Sequence, residues 1–485
     1  MNGFAPREQP FIYSSINPSI QFLIRVHPWL KMALPDLIEI VPLEKPVRAE
    51  ITVPGSKSIT NRALILAALA DGEVTLTGAL WSEDTQVMTE ALRTLGFDVR
   101  VENDSAEFCN RTITVKGQGG KIPKAGTVEK PLELFVGNAG TAARFLAAMV
   151  CLGNGVYRLS GVPRMHERPQ AALFVALREL GYRVDATNDK LPAVIFGAGR
   201  GCVADQPQQC DSAAADASRT AALRSCTVSI EESSQFASAL LLSAKHGGWD
   251  VKVAGDDDEE APYVTMTERL VEVFPWSGGK FQIEPDTSSG SYFWSARALL
   301  NEFQLTNKNE LKVVNWPHSG WQIDANFRNY SEEIISVKLN GASREGKLAD
   351  SIMTAIVISP LEGITKIFTH LGRLRVQECE RVIALRTELT KCGAKVIEEG
   401  DTLTVYPSAL HGAEIETYND HRMAMCFAIL GLKVPGIRLK NPSCVKKTFP
   451  NFFQKLAAAP PHGLGVEIRD GRTGRKLEMD ELFAE

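Results

Sequence analysis

The segment Val53 to Arg62 reads VPGSKSITNR. It sets a lysine (Lys57), a hydroxyl (Ser58) and an arginine (Arg62) around a small-residue turn that runs into the apolar stretch ALILAALA. A turn that opens a helix is an anion site, because free amide N–H groups and the helix dipole point into it. Lys57 supplies a flexible point charge. Arg62 stands one helical turn beyond Ser58, so both can address one ligand. Its planar fork donates two parallel hydrogen bonds and suits a carboxylate. The Walker pattern G-x-x-x-x-G-K-[ST] is absent, so this is not that kind of phosphate loop.

Other charged residues sit in comparable turns. GVPRMHERP carries Arg164 and Arg168, LRVQECER carries Glu378 and Arg381, YNDHRMAM carries Asp420, His421 and Arg422, and CVKKTFP carries Lys447. Each alone reads as a surface residue in a salt bridge. Together, set among small residues, they read as the walls of an anion cleft.

The elements that must position them form a repeat. A short β-like run, a polar Gly/Ser/Asn/Asp turn and an apolar Ala/Leu-rich helix recur six times. The helices begin near ITNRALILAALA, TAARFLAAMV, FASALLLSAK, SYFWSARALL, SIMTAIVISP and HRMAMCFAIL. Helices apolar all round belong inside a domain. Between them lies a second kind of helix that ends in glycine before an alternating strand, as in MTEALRTLGFDVRVE, FVALRELGYRVDA and IALRTELTKCGAKVIEE. The glycine fits a C-cap and the alternation a half-buried strand. Six units, three in each half, imply two similar α/β domains.

Composition sets the outer limits. The chain of 485 residues, 44% hydrophobic and 23% charged, is that of an ordinary globular enzyme. Its net charge of −5 points to no nucleic-acid partner, so positive charge must be gathered locally. Nine scattered cysteines without a C-x-x-C pair argue against a disulfide framework or a zinc site. No apolar run reaches membrane-spanning length. Met1 to Lys31 is read as an unstructured extension, or as lying upstream of a start at Met32. Asp205 to Leu223 reads as an inserted low-complexity loop, Asp256 to Glu260 as a solvated acidic loop, and Gly463 to Glu485 as a charged tail.

VPGSKSITNRALILAALA, GNAGTAARFL, PRMHERP, SSQFASALL, TYNDHRMAM and KKTFP, in this order, resemble the signatures of the 5-enolpyruvylshikimate-3-phosphate (EPSP) synthase family from about Pro42 to Leu456. The resemblance implies an α/β fold of two domains, each of three βαβαββ units in an inside-out α/β barrel, with the active site in the cleft between them. The domains would be Leu43–Ser56 with about Pro285–His462, and Lys57–Glu284, after an extension of residues 1–42 and before the tail 463–485. The implied reaction joins shikimate 3-phosphate to phosphoenolpyruvate and releases phosphate. It needs no metal or organic cofactor, no nucleic acid and no membrane, and implies a cytoplasmic monomer.

The resemblance also assigns roles. Lys57, Ser58 and Arg62, with Ser233, Ser234 and Gln235, match the shikimate 3-phosphate site. Lys57, Gly140, Arg164, Gln235, Arg381, Arg422 and Lys447 match the phosphoenolpyruvate site. Asp350 matches the acid that takes the proton of the attacking 5-hydroxyl and itself contacts the acceptor. Glu378 matches the glutamate that handles the proton at the methylene carbon, with Lys57 as the third catalytic group. Four positions depart from the family pattern: Gln377 stands for Lys, Arg373 for Asn, Glu260 for Ser and Phe145 for Pro. The expectation is that Arg373 replaces part of the lost lysine while Glu260 points to solvent, since a glutamate against a phosphate in a dry site is costly. Two other readings stay open: an enolpyruvyl transferase for a different acceptor, and a catalytically silent relative.

Overall fold

The computed structural model describes residues 34–198, 224–255, 260–301, 310–335, 341–344 and 348–484. The expected extension through Lys31, the insertion 205–223 and residues 256–259 of the acidic run lie outside them. Two hydrophobic cores organise the rest. One gathers buried residues from Leu34 to Val53 with others from Tyr292 to Ala484. The other lies wholly between Ile59 and Ile283.

Each core is built on three inner helices, and within each trio every helix touches the other two. Lys57–Leu69, Gly140–Met149 and Ser234–Gly247 form one trio. Thr287–Asn301, Ile352–Ile358 and His421–Gly431 form the other. The first is buried from Ile59 through Leu69, and the last at every residue except Arg422. Their all-round apolar composition requires this placement.

Mixed sheets cover the trios. In one, Gly279–Gln282, Glu73–Leu80, Asn110–Lys116 and Val99–Asn103 lie in that order, the first pair parallel and the rest antiparallel. The same pattern recurs in the sheet from Leu132–Phe135 to Arg183–Ala186, in that from Gly341–Ser343 to Val396–Glu399, and in that from Glu414–Ile415 to Ile468–Asp470. Two parallel pairs complete the set, Arg224–Ser229 with Trp249–Ala254 and Arg48–Ile51 with Glu310–Val313. The outer helices Glu83–Thr94, Ala171–Glu179 and Arg381–Lys391 end as their sequences indicate. The amides of Phe97, Tyr182 and Ala394 each close back on the helix at 3.0 Å across the glycine. No helix among the described residues is long and apolar enough to cross a membrane.

The structure differs from the sequence reading at both ends. Leu37–Ile40 is a strand pairing with Ile437–Lys440 on one side and Ile468–Asp470 on the other. The supposed tail buries Leu464, Val466, Ile468, Leu477 and Leu482 in the same core. Its apolar residues are spread singly among charges, so composition alone reads as a solvated tail.

The chain passes between the cores at Pro54–Ser56 and again at Glu284–Asp286. The crossings are bonded to one another: Ser56 N–H donates to the Glu284 carbonyl and Asp286 N–H to the Pro54 carbonyl, both at 2.8 Å. A Cβ on Gly55 would stand 2.0 Å from the Gly78 carbonyl oxygen, so only glycine fits between them. A second tie is the buried carboxylate of Glu107. It accepts from Lys455 at 2.6 Å, Asn451 at 2.8 Å and Thr52 at 2.5 Å, all three from segments of the other core.

Removing one member of such a buried charged group leaves its partner without compensation. Glu107→Ala is expected to lower unfolding stability by about 3–5 kcal/mol, measured by urea denaturation. A loss below about 1 kcal/mol, the range of an exposed ion pair, would contradict this role.

Candidate active site between the cores

Five of the six inner helices send their first turns to one cleft, and the sixth, Ile352–Ile358, reaches it through the 3-10 turn Ala349–Ser351 before it. Its lining includes Lys57 and Ser58, Gly140 and Thr141, Ser234 and Gln235, Ser288, Asp350 and Arg422. Eight Arg or Lys and seven Asp or Glu side chains face it, in a chain with a net charge of −5. Positive charge is thus concentrated here, and most of it is already matched by carboxylates of the protein.

At the Gly140 wall the cations are not so matched. Arg144 is buried, donates to Gln235 Oε1 at 2.5 Å and to the Pro169 carbonyl at 3.1 Å, and rests on the Phe236 ring. Arg168 donates to the Asn138 carbonyl at 3.3 Å. Neither forms a salt bridge with a carboxylate among the described residues. Burial first, and then neighbouring Arg168, push the Arg144 guanidinium down to about 9. A Cβ on Gly140 would lie 2.9 Å from Arg144 Nη1 and 2.9 Å from Arg168 Nη2. Glycine here lets both guanidinium groups close on the helix start.

Arg62 is also a buried cation among neutral oxygens. It donates to Thr267 Oγ1 at 2.7 Å, Ser238 Oγ at 3.0 Å and the Ser58 carbonyl at 3.0 Å. Burial pushes it down to about 10. Phe145 lies beneath it, ring centre 5.2 Å from the guanidinium carbon, which gives this departure a packing and cation–π role.

The opposite wall carries the carboxylates. Asp350 pairs with Arg344 at 3.2 Å and Arg422 at 3.3 Å, and accepts from Gln377 Nε2 at 3.2 Å. Burial alone would favour its neutral form, but Arg422, Arg381 and Arg344 hold it well below the usual carboxylate range. Glu378 is bonded to Lys447 at 3.0 Å and Arg381 at 2.8 Å. Against burial, these cations likewise hold it well below its ordinary value. Lys57 pairs with Asp84 at 3.3 Å. Asp324 is different. Buried, bonded to the Ser288 hydroxyl and to Ser351 N–H at 3.0 Å, it is raised to about 6, burial being the largest cause.

Eleven of the residues expected from the sequence therefore meet in one place: Lys57, Ser58, Arg62, Gly140, Ser233, Ser234, Gln235, Asp350, Glu378, Arg422 and Lys447. Two do not. Arg164 is half exposed on the short helix Pro163–Glu167 and pairs with Glu167 at 2.6 Å. The other arginine of PRMHERP, Arg168, takes the cleft position, because it follows that helix and turns inward before Pro169. Arg381 is buried and does not line the cleft. Its fork is used by Asp420 at 2.6 Å, by Glu378 and by the Gln377 side-chain oxygen Oε1. It positions Glu378 and Gln377.

A third correction concerns Glu260. It does not point to solvent. Its Oε2 accepts from Ser234 N–H at 2.6 Å and its Oε1 pairs with Arg373 at 2.7 Å. The open N–H of the helix start and the neighbouring guanidinium compensate the buried charge. Arg144, Arg344, Asp324, Asp84, Glu232 and Asp286 are among the lining residues the sequence reading did not select, and Arg168, read only as a cleft wall, was given no substrate role. Arg144 could have been found, since it lies one helical turn after Gly140. So could Arg168, since Glu167 stands three residues after Arg164 and so claims it. Asp324 carried no local signal.

For Asp324 the fold favours the neutral acid. That contribution to stability is present below the unfolded carboxyl value of 3.8 and is lost as pH rises through about 6. Asn mimics the neutral form, so Asp324→Asn should gain on the wild type between pH 4 and 7.5, by ~3 kcal/mol from a shift of this size. Urea midpoints at the two pH values measure the gap, and a gap that does not widen would refute the assignment.

Comparison with known proteins agrees in fold and sequence. The family model described as EPSP synthase (3-phosphoshikimate 1-carboxyvinyltransferase) matches residues 41–276 and 275–456. The 3-phosphoshikimate 1-carboxyvinyltransferase of Opitutus terrae is 38% identical over 460 residues, covering 88% of this chain and 98% of the relative. That of Trichormus variabilis is 36% identical over 451 residues, covering 87% and 98%. Among solved structures, EPSP synthase from Acinetobacter baumannii superposes with a TM-score of 0.61 at 20% identity, over 90% of this chain and 100% of that one. The enolpyruvyl transferase NikO from Streptomyces tendae gives 0.57 at 15% identity, over 90% and 99%. At such identities the structural likeness speaks for the fold alone.

Proposed function

The chain belongs to the EPSP synthase family, and from that membership we propose that it transfers the enolpyruvyl group of phosphoenolpyruvate to the 5-hydroxyl of shikimate 3-phosphate and releases phosphate. The observation that carries this reading is the pair of cations at Gly140. Arg144 and Arg168 converge on a helix start without a carboxylate partner among the described residues. A small dianion is what such a place accepts.

Phosphoenolpyruvate is placed at this wall, against Lys57, Gly140, Arg144, Arg168, Gln235, Arg422 and Lys447, with Glu378 beside it. Arg168 takes the place expected of Arg164, and Arg381 acts through Glu378. Shikimate 3-phosphate is placed along Ser58, Arg62, Ser233 and Ser234, with its ring facing Asp350. Glu378 delivers a proton to the methylene carbon and Asp350 takes the hydroxyl proton. The hydroxyl oxygen bonds to the adjacent carbon, giving a tetrahedral intermediate. Loss of phosphate and of a methyl proton restores the double bond in the product.

Both carboxyls are held ionised by cations. Incoming phosphate and carboxylate groups draw on the same cations and so make Glu378 and Asp350 more basic, which the proton transfers require. The segments 34–56 with 285–484, and 57–284, act as the two bodies that close over the substrates and exclude water. The proposal includes a cytoplasmic monomer that uses only these two small molecules. The scattered cysteines support a reducing compartment.

The reading is tested by incubating the chain with both substrates and identifying an enolpyruvyl ether by NMR alongside released phosphate; absence of the ether would sink it. Glu378→Gln should reduce kcat by about 10²- to 10⁴-fold, the usual worth of general acid–base help. Arg168→Gln should raise the KM for phosphoenolpyruvate at least about tenfold, the loss of a charge-assisted bond, whereas Arg164→Gln should leave it at the wild-type value. The opposite ranking of the two arginines would reverse their assignment.

A further inference from the structure

We infer that Glu260 is a resident anion in the acceptor subsite, an internal competitor that the substrate's phosphate must displace, and so a determinant of acceptor affinity. The inference rests on the reading of the acceptor as shikimate 3-phosphate bound at the Ser233–Ser234 helix start.

The N-terminus of the helix Ser234–Gly247 is where an anion is expected, and an anion is already there. Ser234 N–H is taken by Glu260 Oε2 at 2.6 Å, and Gln235 N–H by the Ser233 hydroxyl at 3.3 Å. On its other oxygen Glu260 holds Arg373 at 2.7 Å. A carboxylate spanning an amide N–H and a guanidinium occupies the position a phosphate would use. Only about a tenth of the Glu260 side chain and a sixth of that of Arg373 is exposed, so water screens the pair weakly.

A phosphate cannot share this place with Glu260, because like charges at contact in a poorly screened site repel strongly. Arg373 is anchored from a second side, Nη1 donating to the Glu231 carbonyl at 2.7 Å. Glu260 reaches the site on a flexible side chain from the start of the helix Ala261–Val273. The exchange is therefore of anions on a fixed cation: the phosphate takes Ser234 N–H and Arg373, and the Glu260 carboxylate rotates away. Gln377, at this end of the cleft, adds no charge to ease it. Part of the binding energy of the phosphate is spent on displacing Glu260.

Calorimetric titration of the full chain with shikimate 3-phosphate, and separately with shikimate, which lacks the phosphate, decides the matter. Glu260→Gln and Glu260→Ser should each tighten shikimate 3-phosphate about tenfold or more, with shikimate changed less than about twofold, since only the phosphate meets the removed charge. Glu260→Gln keeps the volume and an acceptor for Ser234 N–H. A gain of affinity confined to the phosphorylated ligand cannot arise from a damaged fold. If both folded variants bind shikimate 3-phosphate within twofold of the wild type, or more weakly, Glu260 is not a competitor and the inference falls. Failure of the functional reading shows separately, as no enolpyruvyl ether from the wild type, while the contrast between the two ligands still tests Glu260.

Discussion

Two multiply charged anions have to be held side by side in one dry cleft, and this repulsion governs the rest of the structure. A cleft lined with uncompensated arginines and lysines would repel itself before any substrate arrived. The chain resolves this by giving most of the cations a carboxylate of its own. Lys57 has Asp84, Arg344 and Arg422 share Asp350, Lys447 has Glu378 and Arg373 has Glu260. Arg62, Arg144 and Arg168 lean on neutral oxygens instead. They mark the places where an incoming anion gains most, because no protein carboxylate has to give way.

The fold follows from the need to bring these groups together. Six helix starts supply amides and short side chains, and the apolar bodies behind them supply two cores that fix where each start points. The crossings at Pro54–Ser56 and Glu284–Asp286 bond to one another, so the opposing trios are tied next to the cleft. Glu107 adds a second tie. On the proposed reading, Asp350 and Glu378 are placed by the same cations that the substrates would use, so their state responds to occupancy and couples binding to proton transfer without any further device.

Much of this was legible in the sequence, and the limits are physical. The inner helices are apolar on every face, so their number, burial and polar first turns follow from residue types alone. Lys57 and Arg422 lie at such starts and were read there, Lys447 was read from its own turn, and Gly140, Ser234 and Asp350 came from the family resemblance. Where the structure places residues differently from the sequence reading, the choices are made in three dimensions. Which arginine of PRMHERP turns inward depends on a helix only five residues long. Arg381 was read as a ligand because its motif fits, but its donors are used by Asp420, Glu378 and Gln377. Glu260 was sent outward because a buried carboxylate beside a phosphate is costly; the sequence could not show that Arg373 and the Ser234 amide wait for it. At the C-terminus, scattered apolar residues hid a strand among charges.

The dependence of the carboxylates on shared cations can be measured directly. Binding of shikimate 3-phosphate with an unreactive phosphoenolpyruvate analogue, followed by calorimetry in buffers of different ionisation enthalpy, counts the protons taken up. Comparing wild type with Glu378→Gln cancels the protons belonging to the ligands. If bound anions draw Lys447 and Arg381 away from Glu378, the wild type should take up measurably more protons than the variant on forming the ternary complex near pH 6. Equal uptake by the two proteins would mean that Glu378 keeps its cations when the cleft is filled, and would contradict the coupling of binding to catalysis.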